Sequence, residues 1–195
     1  MVAFADKPVH TFDTIEEFER FLEADPPDGG IRVRLRKKGS TQPGMTWAEA
    51  VDVALCFGWI DGQAGRHPED PKNFTLQAFT PRRRNSPWSQ INVGNVARLT
   101  ETGRMRPGGL AEVARAQADG RWDAAYRQKD APVPDDLQAA LDANPAAAAA
   151  FAGLNSQNRF AILFRVSQAK RAETRARRIA EFTTMLAEGR TLHPR

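Results

Sequence analysis

The residues best suited to chemistry crowd into FTPRRRNSPWSQIN, Phe79 to Asn92. Three consecutive arginines, Arg82, Arg83 and Arg84, repel one another unless water, carboxylates or an anionic ligand compensates them. A turn carrying them between a strand ending at Thr80 and a helix starting near Pro87 also offers the free N–H groups of a helix N-terminus. Ser86 and Ser89 add hydroxyl donors, and that combination suits a phosphate or a carboxylate. In the plainer reading Ser86 only caps the helix, one arginine pairs with an acidic neighbour and the others are solvated. No complete glycine-rich phosphate-loop pattern occurs.

Asp61 in ALCFGWIDG follows a helix end, where its carboxylate could orient an arginine of the later loop or act as a general base. An Asp-Gly pair also makes a turn or bulge, and no second acid or base stands at a spacing that would single it out. Trp59 and Trp88 serve either as core residues or as pocket walls with a polar handle on each indole. Cys56 ends an apolar helical run and reads as a small core hydrophobe. The three histidines, His10, His67 and His193, share no metal-ligand spacing with it or with clustered carboxylates, so no metal and no cofactor is expected. A second basic stretch, Ala169 to Arg190, sets Arg171, Arg175 and Arg178 at neighbouring helical positions beside an apolar seam of Ile179, Phe182, Met185 and Leu186. Those arginines cluster near the helix start, where the macrodipole does not favour them unless something anionic meets them.

These groups must be held by a fold of modest size, since 195 residues suffice for one sizeable core. Charge runs in blocks: residues 1–30 carry two basic and eight acidic groups, 31–106 thirteen and six, 107–150 four and seven, and 151–195 nine and three. Such blocks attract nucleic acid or phosphorylated ligands, or they pair with one another within the chain. A single cysteine excludes an internal disulfide. The N-terminus lacks a basic start and an apolar stretch of signal-peptide length, and no run approaches a membrane span, so a cytoplasmic protein is expected.

Helix signals cover Phe12 to Ala24, with Thr14 as cap and Glu17 at the capping-box position. They also cover Thr46 to Phe57, where Thr46 and Glu49 form a second capping box and Gly58 ends the helix. Ile31 to Lys37 alternates apolar and basic residues, a half-buried strand with arginines outward. Trp59 to Gln63 and Phe74 to Thr80 read as a hairpin. After Pro81 the pattern is helical: Trp88 to Thr102 capped by Ser86, Gly108 to Gly120, Asp135 to Ala143, Ala146 to Gly153, Ser156 to about Gln168, and Glu173 to Glu188. The expected architecture is α+β, a small mixed or antiparallel sheet covered by helices, with a helical C-terminal half. Residues 1–106 are expected to form the sheet-containing region and 107–195 a helical region packing on it, the two making a single structural unit.

Taken together and in order, ALCFGWIDG, FTPRRRNSPWS, GRMRPGGL and AKRAETRARRI resemble the YdeI/OmpD-associated, or bacteriocin-protection, family over roughly Ile31 to Gly189. The resemblance implies a bacterial protein involved in resistance to bacteriocins and cationic antimicrobial peptides. It brings no catalytic residues. Its recurrent motifs fall on Trp59, Asp61, Pro81, Arg82, Arg83, Ser86, Trp88, Ser89, Asn92, Thr174, Arg175 and Arg178. The leading expectation is a non-enzymatic stress-protection protein that binds an anionic small molecule or protein partner through the 82–92 loop with Arg175 and Arg178. The alternatives are a nucleic-acid-binding protein using both basic blocks, and an enzyme on a phosphorylated small molecule with Asp61 as base and Arg82 and Arg83 as clamp.

Overall fold

The structure is a computed structural model that describes residues 2–126 and 131–193. The chain divides into two compact units, Met1–Ala125 and Tyr126–Arg195. In the first, the order of elements is β1 (Val9–His10), α1 (Ile15–Glu23), β2 (Ile31–Arg36), α2 (Trp47–Cys56), β3 (Trp59–Arg66), β4 (Phe74–Pro81), α3 (Gln90–Glu101) and α4 (Pro107–Ala118). The second holds α5 (Asp135–Asp142), α6 (Pro145–Ala152), α7 (Ser156–Ser167) and α8 (Ala172–Ala187). The class is α+β: a four-stranded mixed sheet followed by a helical C-terminal part.

The sheet runs β1-β2-β4-β3, with β1 parallel to β2 and the other pairs antiparallel. Alternation in β2 decides its orientation. Ile31, Val33 and Leu35 are 0% exposed and join the core with Phe18, Val51, Leu55 and Phe79. Each such side chain contributes roughly 1.5–3 kcal/mol by leaving water, so a one-residue slip of register would forfeit several at once. The arginines of the opposite face are absorbed locally. Arg32 donates to the carbonyls of Lys7 and Ala5, both at 2.9 Å, and Arg36 to those of Gly44 and Ser40. Arg34 pairs with Asp13 at 2.8 Å while lying 4.2 Å from the centre of the Phe74 ring. The basic strand face is therefore largely an internal fastening.

Local signals set most helix ends. Thr46 accepts from Glu49 N–H, and the Glu49 carboxylate accepts from Thr46 N–H at 2.7 Å, a complete capping box that holds the Glu49 carboxyl below its usual range. Thr14 caps α1, but Glu17 reaches back to the N–H of Asp13 rather than to the cap residue. Gly58, at φ +78°, ends α2 as expected. β1 is not anticipated by the alternation pattern, because two residues show no periodicity; it is fixed by pairing with Arg32 and Val33.

The second unit has its own core of Leu137, Leu141, Phe151, Ile162, Val166, Ile179, Phe182 and Leu186. Asn144 and Asn155 cap α6 and α7 by accepting from the N–H groups of Ala147 and Asn158. Among the described residues no helix is long and apolar enough to cross a membrane.

Candidate functional site

The arginine loop folds inward. At the end of β4, Pro81 is in register with Trp59, and Arg82 extends the ladder by donating its N–H to Gly58 O at 3.0 Å. The Arg82 guanidinium then lies 3.6 Å from the centre of the Trp88 ring and donates to Pro87 O. Both side chains are buried, Arg82 at 6% and Trp88 at 2% exposure. Trp122 packs on Trp88 at 4.9 Å between ring centres, and Arg121, held by Asp119, donates to Ser86 O at 2.8 Å. Arg83 and Arg84 remain exposed.

The helix expected from Trp88 with Ser86 as cap begins later. Ser89 caps α3 by accepting from Asn92 N–H at 3.1 Å, and Ser86 instead accepts from Arg83 N–H, closing a tight turn. A helix starting at Trp88 would have to give up the loop conformation in which Arg82 and Trp122 enclose the indole. Asn92 thus contributes its backbone to the cap, and Ser89 is buried beneath the turn.

A groove of about 520 Å³ opens beside the end of β4. Lys7, Asp28, Gly29, Thr80, Pro81, Arg82 and Arg83 line it. Lys7 is the residue that sequence reasoning missed. The pairing of β1 on β2 and a turn at residues 3–7 carry it next to the Pro26–Gly30 turn, where its ammonium donates to Gly29 O. That turn lies hard against β4: Gly30, at φ +76°, would place a Cβ only 2.4 Å from Phe79 O. Lys7 is 6% exposed, and it forms no ion pair among the described residues. An isolated lysine near a chain end carries no sequence signal for such a position.

Asp61 and Trp59 sit elsewhere. Asp61 is in register with Phe79 on the helix-covered face and does not line the groove; its carboxylate accepts from the Trp47 indole N–H at 3.2 Å. Trp59 is buried in the core. Cys56 is buried as well, and burial pushes its thiol up, which suits a packing residue. Among the described residues no group of His, Cys, Asp and Glu is placed to hold a metal ion.

Arg175 and Arg178 belong to the second unit and are engaged there. Arg175 makes a two-pronged pair with Asp136, one bond at 2.8 Å, and donates to Val166 O at 2.9 Å. This contact holds the Asp136 carboxyl below its usual range. Arg178 donates to Arg165 O. Their charge ties α8 to α5 and α7.

Residues 10–112, more than half of the 195, match the model of a family described as a domain of unknown function, DUF8412. The chain belongs to that family. Residues 130–189 match a second model, described as bacteriocin-protection, YdeI or OmpD-associated. The resemblance read from the motifs is therefore shown on AKRAETRARRI and its surroundings, while ALCFGWIDG, FTPRRRNSPWS and GRMRPGGL lie within the DUF8412 match. No curated protein and no solved structure matches the chain. In the DUF8412 segment lie the arginine loop, Asp61 and the Asp28, Gly29 and Thr80–Arg83 walls of the groove; Lys7 precedes it.

Within the DUF8412 segment Asp61 also yields a stability prediction. Burial raises its carboxyl above the usual range, and the Trp47 hydrogen bond and the charge of Arg82 only partly oppose this. A raised folded-state value means that the folded protein binds the proton more tightly, so stability falls as pH rises from the unfolded-state to the folded-state value, and the cost persists at neutral pH. Asp61→Asn keeps an acceptor for Trp47 and is expected to raise the urea midpoint at pH 7 but not at pH 3. An equal or lower midpoint at pH 7 would contradict the assignment.

Proposed function

We propose that the protein binds a small anionic ligand, bearing a phosphate or carboxylate, in the groove beside Lys7, Arg82 and Arg83. We further propose that it acts in the protective role named by the family description attached to residues 130–189. The observation that carries the binding reading is Lys7. The Lys7 residue is nine-tenths buried, its ammonium donates to a neutral carbonyl and forms no ion pair among the described residues, and it lines a groove in which an anion would meet it. Arg83 adds an exposed guanidinium at the same groove. Arg175 and Arg178 are left out of this reading because their hydrogen bonds are made within the second unit.

Titration calorimetry with inorganic phosphate tests it, comparing wild type with Lys7→Met. Methionine fills a similar volume without charge, and replacing a buried charge by an apolar group is often neutral for stability. The substitution is expected to weaken phosphate binding by about tenfold, the worth of one charge-assisted hydrogen bond. Unchanged affinity in the variant, with an unchanged circular dichroism spectrum, would remove the groove from the reading. In a bacterium sensitive to a bacteriocin, expression of wild type is expected to improve survival and expression of Lys7→Met to improve it less; equal survival would separate protection from the groove.

A further inference from the structure

The charges on the groove are not all of one sign, and that narrows the ligand. Asp28 is exposed, lines the same groove as Lys7 and Arg83, and pairs with no cation among the described residues. The Arg83 side chain likewise has no ion pair among those residues, so the two rim charges do not satisfy each other. Arg82, by contrast, is 6% exposed, with its guanidinium laid on the Trp88 ring and donating to Pro87 O. With the Arg82 guanidinium turned onto Trp88, the groove is left with two positively charged residues, Lys7 and Arg83, and one negatively charged, Asp28.

Resting on the anion-binding reading above, we infer that the groove recognises a small phosphomonoester that also carries an ammonium group, a phosphorylated amino alcohol being the simplest case. A phosphomonoester at neutral pH bears nearly two negative charges. With one ammonium it is the electrostatic complement of the groove: phosphate against Lys7 and Arg83, ammonium against Asp28. A plain zwitterion with one carboxylate leaves a cation uncompensated, and a polyanion such as a nucleic-acid strand brings further negative charge against Asp28. A volume of about 520 Å³ also sits within the range of small-molecule clefts rather than of polymer-binding surfaces.

The test is calorimetry at low ionic strength with two probes that share the phosphate, phosphoethanolamine and ethyl phosphate, on wild type and Asp28→Asn. Wild type is expected to bind phosphoethanolamine roughly two- to fivefold more tightly than ethyl phosphate, the effect of one exposed ion pair. Asp28→Asn is expected to abolish that preference while leaving ethyl phosphate bound as well or better. No preference in wild type, or a preference that survives in Asp28→Asn, overturns the inference and leaves anion binding standing. Absence of binding for both probes overturns the anion-binding reading and this inference with it.

Discussion

Trp88→Ala is expected to lower the stability of the first unit by about 3–5 kcal/mol, the usual cost of emptying a large aromatic site in a core. The indole is 2% exposed and is enclosed by the Arg82 guanidinium at 3.6 Å and by Trp122 at 4.9 Å. Removing it leaves a cavity and strips a buried cation of its stacking surface, so the two losses add. Trp88→Phe keeps a ring beneath Arg82 and is expected to recover most of the loss. Urea titration followed by tryptophan fluorescence reads the effect, because Trp47, Trp59 and Trp122 also lie in the first unit. A loss below about 1 kcal/mol for the alanine variant would mean that the loop does not depend on this stack.

The second large effect is expected at Gly109, where α4 meets the end of α2 backbone to backbone. A Cβ at Gly109 would lie 2.2 Å from Cys56 O and 2.6 Å from Leu55 O, and Arg106 N–H donates to that same Cys56 carbonyl at 3.1 Å. Neither carbonyl is the end of a flexible side chain, so one helix must move. The overpacking cost, about 3 kcal/mol, exceeds the roughly 1 kcal/mol by which alanine favours a helix over glycine, for a net loss near 2 kcal/mol. Gly94 in α3 is the control: no heavy atom lies within 4 Å of its added Cβ, and Gly94→Ala is expected to gain about 0.5–1 kcal/mol. If both alanine variants were equally stable, the close approach of α4 to α2 would be wrong.

Both predictions rest on features that no local pattern announces, and the candidate site divides along the same line. The alternation of Ile31, Val33 and Leu35 with arginines was readable because the period of a strand is two, and the burial follows that period. The Thr46–Glu49 box and Gly58 were readable because capping involves groups three or four residues apart. Two serines three residues apart, each a competent cap by type, precede α3; the local pattern favours Ser86 with Pro87 after it, whereas Ser89 is the cap. What separates Ser86 from Ser89 is distant: Arg121 holding Ser86 O, and Arg82 and Trp122 closing over Trp88.

Of the residues singled out for binding, Arg82 and Arg83 line the groove, Trp59, Trp88 and Ser89 are buried, and Asp61 turns to the helix-covered face. Composition could identify a repulsive run of arginines but not which of them would be stacked inside. By itself the amino-acid sequence determined the α+β class, most element positions and the family likeness, since these depend on periodicity, caps and motif order within short windows. Only the tertiary structure decided that Lys7 and Asp28 share a groove with Arg83, and that Arg82 is enclosed over Trp88. Those placements come from strand pairing between residues more than twenty apart and from the need of buried charge to find a partner, and neither is written in any local stretch of the chain.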